Sequence, residues 1–508
     1  MLALSGADAQ PQSWVDTYRA DANRLIQESI GNQFAWNRLA ELTDTYGNRL
    51  AGSENLNRAI AWAVETMKKD GFDNVHTEKA MVPRWVRGAE SAVIVDPPEH
   101  PLAILGLGGS VGTSPAGIEA DVLVVRTFDE LNQKTAEAKG KIVLYNAPFM
   151  SYGQTNQYRT GGPTIAARHG AVAVLVRAIG PTGLRTPHTG SLNYGDGVAK
   201  IPAAAISTED AERMQRISDR GRRLRVRLKM DAHFESDVES ANVVAELRGR
   251  ELPDEVVLVG GHFDSWDVGT GASDDGVGCI VTWETARLMK KLNIQPRRTV
   301  RVVLFTNEEN GLRGAVAYRD KYHAVAAKHT LAIESDSGVF APARIGFTGS
   351  EAAQRIMRDI GGLLSTIGLQ DIGLGGGGAD IGPIAQAGKV PMLAYQGEPT
   401  RYFTIHHTPA DTVDRIAPDE VSKAAAALAV ITYVVAESPR RCRSEPCRYP
   451  VSGVRYQVSG PRLRLLELVR SVSKPLAVLR VARLAHSHQQ LEMLGGLAES
   501  LSLIASST

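Results

Sequence analysis

The chain has 508 residues, 43% of them hydrophobic, and a formal net charge of +1 at pH 7. This length exceeds the usual size of one compact core, so we expect two domains or one domain with a large insertion. The near-zero charge argues against nucleic-acid binding, and no apolar run reaches the roughly 18–20 residues of a membrane span. The three cysteines are too few for a disulfide framework, although Cys442 and Cys447 could pair locally.

The first 12 residues are consistent with the remnant of an export signal. Ala7-Asp8-Ala9 fits the cleavage pattern of two small residues around a third, but the basic region and a full apolar region are missing. A disordered N-terminus is an equal alternative. We therefore expect a secreted, periplasmic or lumenal protein, while a cytoplasmic location stays open.

Residues 13–102 are expected to form the first part of the main domain. Apolar side chains recur at three- and four-residue spacing from Trp14 to Gly71, which predicts helices. The chain then turns into a strand that runs towards Trp85.

Residues 103–235 differ from the first part of the main domain in their sequence pattern. Four short apolar runs separated by Gly and Pro predict strands, and a helix is expected over residues 164–169. His, Asp and Glu do not cluster here in the way they do in the later half of the chain. We interpret this segment as an inserted β-rich domain without chemistry of its own, which covers or shapes a cleft; plain structural padding is the alternative.

Residues 236–438 alternate between strand-like runs and helical segments, beginning at Asn242. This βαβ rhythm predicts an α/β fold with a mostly parallel central sheet covered by helices. An Ala-rich helix from Pro418 to Val435 is expected to end the domain. Residues 439–508 are rich in Arg, and we expect a disordered or loosely packed extension, or even an out-of-frame translation.

Acids and imidazoles follow one strand after another in the main domain. They are His262, Asp264, Asp274, Asp275, Glu308, Glu309, Asp336 and His407. Strand ends on one side of an open parallel sheet share a crevice, and two imidazoles with several carboxylates suit a divalent metal such as zinc. Each acid alone fits a solvated loop, but the succession favours one metal site. Asp264 would point the same way as His262 and could accept its second imidazole N–H.

Several longer motifs carry a resemblance to a known family. They are Gly47-Asn48-Arg49-Leu50-Ala51-Gly52-Ser53, Val82-Pro83-Arg84-Trp85-Val86-Arg87-Gly88, Gly261-His262-Phe263-Asp264-Ser265-Trp266-Asp267-Val268-Gly269, Asn307-Glu308-Glu309, Glu334-Ser335-Asp336 and His407-Thr408-Pro409-Ala410-Asp411-Thr412. From about Val15 to Glu437 the chain resembles the M28 zinc peptidases. The resemblance implies a zinc-dependent exopeptidase fold: residues 13–102 and 236–438 form the peptidase domain, and residues 103–235 a protease-associated domain.

The resemblance also implies residue roles. His262 and Asp336 would hold one of two zinc ions, Glu309 and His407 the other, and Asp274 would bridge them. Glu308 would be the general base, and the Asp274–Asp275 peptide bond would be cis. The substrates would be short peptides, especially dipeptides with free termini, and the protein would be a homodimer.

Two further residues are candidates for binding the substrate. Asp380, after a run of four glycines, could accept the α-amine, although a surface loop acid is the alternative. Tyr402 could line the pocket, with plain packing as the alternative. Two other functions stay open: a receptor-like relative without catalysis, which the complete ligand set disfavours, and a glutaminyl cyclase, which the insert and the long motifs disfavour.

Overall fold

The computed structural model describes residues 13–95, 99–181 and 183–440. The signal-like residues 1–12, nearly all of the Arg-rich extension, and both Cys442 and Cys447 lie outside the described residues, so those expectations stay predictions. None of the helices described is both long and apolar enough to span a membrane.

Strands of the described residues are numbered in chain order. They are β1 (Asp73–Val82), β2 (Trp85–Val86), β3 (Glu90–Ile94), β4 (His100–Leu102), β5 (Ile104–Gly106), β6 (Ile118–Val125), β7 (Ile142–Tyr145), β8 (Ala173–Arg177), β9 (Ala203–Ile206), β10 (Arg225–Met230), β11 (His233–Phe234), β12 (Val238–Leu247), β13 (Leu252–His262), β14 (Arg298–Phe305), β15 (His329–Glu334), β16 (Arg344–Thr348), β17 (Ile372–Leu374) and β18 (Met392–Gln396).

The α-helices are numbered in the same way. They are α1 (Arg19–Ile30), α2 (Phe34–Tyr46), α3 (Glu54–Lys69), α4 (Phe128–Gln133), α5 (Thr135–Ala138), α6 (Tyr152–Thr155), α7 (Gln157–Thr160), α8 (Gly162–Arg168), α9 (Thr208–Asp219), α10 (Val277–Lys291), α11 (Arg313–Tyr322), α12 (Glu351–Gly361), α13 (Gly382–Gly388), α14 (Pro399–Ile405) and α15 (Pro418–Glu437).

The main sheet has eight strands in the order β1-β12-β14-β13-β15-β18-β16-β17. Its centre, β14-β13-β15-β18, is parallel, as the βαβ rhythm predicted. The prediction was wrong for β12, which pairs antiparallel with β14. Only residues 248–251 join β12 to β13, and a parallel return needs a crossover of about a dozen residues.

Both faces of the parallel centre are buried. On β13, Val257 and Val259 pack into the core formed with α1, α2, α10 and α15, whereas Val256 and Leu258 pack with α11 and α13 on the other face. Two covered faces explain why these strands are continuous apolar runs. The carboxyl ends of these parallel strands therefore meet at one edge of the sheet.

A second sheet of eight strands has the order β4-β3-β10-β6-β7-β8-β9-β5. It includes β3 and β4, so it begins at Glu90, upstream of the boundary expected at residue 103. The helix expected over residues 164–169 is α8, which begins two residues earlier. The assignment of this sheet to a protease-associated domain stays a prediction.

Candidate metal centre

Each candidate ligand lies at the end of a strand or in a loop next to a helix or strand. His262 is the last residue of β13, Glu309 follows β14 and Asp336 follows β15. Asp274 lies in the turn that enters α10, and His407 follows α14. The Asp274–Asp275 peptide bond is cis, as the resemblance implied.

Asp274 lies between the two imidazoles, with one oxygen towards each. Its Oδ1 is 3.2 Å from Nε2 of His262, and its Oδ2 is 3.1 Å from Nε2 of His407. Asp336 Oδ1 lies 3.6 Å from the same nitrogen of His262, and Glu309 Oε2 lies 3.1 Å from that of His407. The five side chains thus form two groups that share one carboxylate.

Hydrogen bonds on the far side orient both imidazoles. His262 donates from Nδ1 to the main-chain oxygen of Asp264 at 2.9 Å, and His407 donates from Nδ1 to that of Thr189 at 3.2 Å. In the neutral tautomers, Nε2 of each ring then carries a lone pair that faces carboxylate oxygens. Asp274 Oδ2 and Glu309 Oε1 are buried without a hydrogen-bond donor in the described part of the chain. Lone pairs that face one another in this way fit ions held between them.

The electrostatics of the site also call for positive charge. Burial by itself lowers the pKa of each imidazole, yet the surrounding carboxylates raise the pKa of His262 and His407 well above the ordinary value. Burial, and next Asp274, raise the pKa of Glu309 to about 7. Protons or metal ions must neutralise the negative charge of so many buried carboxylates. The nitrogen and oxygen donors suit zinc.

Asp264 does not contact His262 through its carboxylate, contrary to the prediction. Its main-chain oxygen accepts the imidazole N–H, while the carboxylate accepts from the main-chain N of Glu308 at 3.1 Å and of Glu309 at 3.3 Å. Backbone N–H groups of the loop after β14 need buried acceptors, and this carboxylate supplies them. Asp264 therefore orients two loops of the site at once.

Two residues of the quoted motifs prove to support the site. Asp411 accepts from the main-chain N of Ser273 at 2.7 Å and of Asp274 at 3.1 Å, which holds the turn that carries the shared carboxylate. Arg49 is fully buried and donates to the main-chain oxygens of Phe263, Thr270 and Gly271. No sequence signal names these partners, because all of them are main-chain atoms.

Comparison with known proteins gives the chain its family. The model of peptidase family M28 matches residues 242–432. Carboxypeptidase Q of Mus musculus is 44% identical over 425 residues, which cover 84% of this chain and 90% of that protein. Carboxypeptidase Q of Homo sapiens is 44% identical over 422 residues, which cover 83% and 89%.

The chain belongs to peptidase family M28. A peptidase M28 precursor from Shewanella amazonensis SB2B has a TM-score of 0.82 to this M28 peptidase at 34% identity, covering 85% of this chain and 100% of that one. A zinc aminopeptidase from Bacillus subtilis has a TM-score of 0.62 at 20% identity, covering 80% and 96%, and supports the fold. The expected α/β class, the resemblance and the assignment as a metallopeptidase are confirmed.

This M28 peptidase has a third imidazole at the site that the sequence did not single out. His406 Nε2 lies 3.4 Å from Asp274 Oδ2, and its ring stacks on that of His407 with centroids 3.5 Å apart. Among the described residues, Asp274, His406 and His407 also form a group whose ligand atoms could hold an ion. The sequence does not show which of the two adjacent histidines is the better candidate ligand. The structure distinguishes them, because it is Nε2 of His407 that lies 3.1 Å from Glu309 Oε2.

The predicted substrate-binding residues are both buried. Asp380 is 1% exposed, and neither of its carboxylate oxygens has a hydrogen-bond partner within the described ranges. It is therefore not a solvated loop acid. The ring of Tyr402 packs against His406 at 5.1 Å, and burial together with nearby carboxylates, first Asp274, raises the pKa of its phenol well above the ordinary value.

The second sheet contributes to the site of the M28 peptidase, although we expected no chemistry from it. The Thr189 main-chain oxygen that orients His407 belongs to the connection between β8 and β9. Tyr152 of α6 packs edge-on against His406, with ring centroids 5.0 Å apart. Such contacts join residues more than 200 positions apart, so local patterns could not reveal them.

Proposed function

We propose that this M28 peptidase is a di-zinc exopeptidase that hydrolyses short peptides, dipeptides with free termini in particular. The observation that carries the proposal is Asp274, whose two oxygens face two different imidazoles at 3.2 and 3.1 Å. A carboxylate placed in this way suits a bridge between two ions. The names of the relatives, a zinc aminopeptidase and carboxypeptidase Q, agree with zinc and with exopeptidase activity.

In this proposal, His262 and Asp336 would hold one zinc ion, and His407 and Glu309 the other. The donor set fits, because Nε2 of each ring, which carries a lone pair in the neutral tautomer, faces carboxylate oxygens, and two of the ligand oxygens, Asp274 Oδ2 and Glu309 Oε1, have no hydrogen-bond partner in the described part of the chain. When bound, a zinc pair supplies a water of lowered pKa and polarises a peptide carbonyl.

Glu308 is the proposed general base. Its backbone is held by the Asp264 carboxylate, and it adjoins Glu309 without belonging to either ligand group. Burial, and then the neighbouring acids Asp336 and Glu309, raise the pKa of Glu308 well above the ordinary value, although His262 opposes this. Such a carboxylate can take a proton from the attacking water and return it to the leaving amine nitrogen near neutral pH.

Asp380 is the proposed acceptor for the α-amine of the substrate. A buried carboxylate with two free oxygens is costly unless a cation joins it, and an ammonium group satisfies it. Gly378 lets the loop approach closely, because a Cβ there would lie 2.1 Å from the Glu334 carboxylate carbon. Tyr402 is proposed to line the same pocket beside His406.

The test combines metal analysis with a dipeptide panel on the full-length protein. The purified protein should contain about two zinc ions per chain, cleave dipeptides, lose activity on chelation and regain it when zinc is added. Metal-free protein that cleaves nothing would favour the receptor-like alternative. Cyclisation of peptides with N-terminal glutamine, without hydrolysis, would favour the glutaminyl cyclase.

Export from the cytoplasm and assembly into a homodimer stay predictions. A signal-sequence fusion assay checks the first, and sedimentation of the purified protein checks the second.

A further inference from the structure

The loop that carries Glu308 and Glu309 is closed where it leaves β14 and enters α11. It begins at Thr306, directly after β14, and ends at Gly314, the second residue of α11. The main-chain N of Gly314 donates to the main-chain oxygen of Thr306 at 3.1 Å. The carboxylate of Asp264 holds the tip of the loop separately, through the main-chain N of Glu308 and Glu309. The position of the proposed general base therefore depends on how the two ends of the loop are fixed.

One buried side chain contacts both ends of this loop. Asn242 of β12 is 0% exposed. Its Oδ1 accepts from the main-chain N of Thr306 at 3.0 Å, and its Nδ2 donates to the main-chain oxygen of Gly314 at 3.0 Å. An amide offers an acceptor and a donor side by side in one plane, so both polar atoms of Asn242 are used on a single loop.

Gly314 leaves the space that this contact needs. A Cβ at this position would overlap both Asn242 Oδ1 and the main-chain oxygen of Thr306. Any larger residue would therefore push the end of the loop away from the amide. Asn242 and Gly314 thus fit each other, although 72 positions separate them in the sequence.

Two residues inside the loop have unfavourable backbone conformations. Asn307 has a φ of +67° and Leu312 a φ of +58°, in the left-handed region that asparagine tolerates and leucine rarely adopts. Such conformations persist where surrounding contacts hold them. Asn242 supplies such contacts at both ends of the segment, and without them the loop should relax and move Glu308.

We propose that Asn242 is a positioning residue that holds the Glu308 carboxylate in place for the attack of water. The proposal rests on the proposed exopeptidase function and deepens it. A general base works only within hydrogen-bond reach of the proton that it takes, and a displacement of about 1 Å can lower a rate by roughly 100-fold. Asn242 acts through the two ends of the loop, whereas Asp264 contacts the tip.

The experiment compares Asn242→Leu with Thr299→Val in the full-length protein at saturating zinc. Leucine has nearly the size of asparagine but offers neither a donor nor an acceptor. Thr299 is the matched control, because it also is a buried side chain that joins two main-chain groups, at the opposite end of β14. Its hydroxyl donates to the main-chain oxygen of Pro253 at 2.7 Å and accepts from the main-chain N of Gly249 at 3.1 Å. Zinc content and thermal midpoint are recorded for each protein.

Both variants should lower the thermal midpoint, because each leaves two buried main-chain groups without a partner. Only Asn242→Leu should lower kcat for leucyl-glycine, by about 10- to 100-fold, with KM little changed and zinc content at the wild-type level. Asn242→Asp should retain more of kcat, since it keeps an acceptor for Thr306 and, when protonated, a donor for Gly314. Amide hydrogen exchange gives a readout that does not depend on activity: residues 306–314 should exchange faster in Asn242→Leu but not in Thr299→Val.

Wild-type kcat in Asn242→Leu would rule out the positioning role, and an equal loss of kcat in Thr299→Val would replace it with a general structural one. Full recovery of kcat on addition of more zinc would also overturn it, by limiting the effect to metal binding. If Asn242→Leu does not fold, Asn242→Ser takes its place, because the shorter side chain cannot contact both main-chain groups, and wild-type kcat there overturns the proposal. If zinc-replete wild type cleaves no dipeptide, the proposed function fails, and this proposal with it.

Discussion

His407 donates its Nδ1 hydrogen to the main-chain oxygen of Thr189, 3.2 Å away across 218 residues of sequence. This bond leaves Nε2 unprotonated in the neutral ring and aims it at Asp274 and Glu309. A loop of the second sheet therefore sets the tautomer of a residue that we propose as a zinc ligand.

Removing the shared carboxylate should lower the zinc content per chain more than removing one imidazole does. We expect His262→Ala or His407→Ala to retain about one zinc ion per chain, and Asp274→Ala to retain neither, because Asp274 faces both groups. Elemental analysis after exhaustive dialysis measures the ratio. If Asp274→Ala kept both ions, the bridging role would be wrong.

Glu308→Gln should separate metal binding from turnover. The amide cannot accept a proton, so kcat is expected to fall by roughly 100- to 10,000-fold while zinc content stays at the wild-type level. Steady-state kinetics and elemental analysis on the same preparation test this. An active, zinc-replete variant contradicts the role of general base.

Asp264→Asn should weaken the site on the Glu309 side. Its carboxylate holds the main-chain N of Glu308 and Glu309, whereas its main-chain oxygen, which the substitution retains, holds His262. We expect a loss of roughly 10- to 100-fold in zinc affinity when the change is made in the His262→Ala background, where only that site remains. Chelator competition measures it. The matched background is His407→Ala, in which Asp264→Asn should have little effect.

Arg49→Lys should destabilise the fold around the site. Lysine has three donors on one nitrogen and cannot reach the separate main-chain oxygens of Phe263, Thr270 and Gly271. Buried acceptors left without donors cost about 1–3 kcal/mol each, so we expect the free energy of unfolding to fall by about 3 kcal/mol. Urea unfolding compares it with Arg58→Lys, an exposed arginine on α3. Equal midpoints for the two variants would rule out this role.

Asp380→Asn should lower kcat/KM only for substrates with a free α-amine. The amide keeps the shape but loses the charge, so kcat/KM for a dipeptide is expected to fall by roughly 10- to 100-fold. The slower hydrolysis of the N-acetylated dipeptide should not change. Asp371→Asn, at an exposed acid before the same loop, is the control. A parallel loss on both substrates would assign Asp380 a structural role instead.

Much of the site could be predicted because its side chains stand in local patterns. His262, Glu309 and Asp336 follow apolar runs that form β13, β14 and β15, and the carboxyl ends of parallel strands meet at one edge. The sequence alone therefore determined the α/β class, the family and most of the side chains that the structure brings together, but not His406.

Only the tertiary structure decided what those side chains contact. The main-chain oxygen of Asp264 accepts a hydrogen bond from His262, and that of Thr189 accepts one from His407. Main-chain donors and acceptors are the same in every residue but proline, so no sequence pattern marks them. The packing of Tyr152 against His406 likewise depends on how a distant part of the chain folds. Long-range contacts of this kind follow from the folded arrangement of whole elements, which local periodicity does not encode.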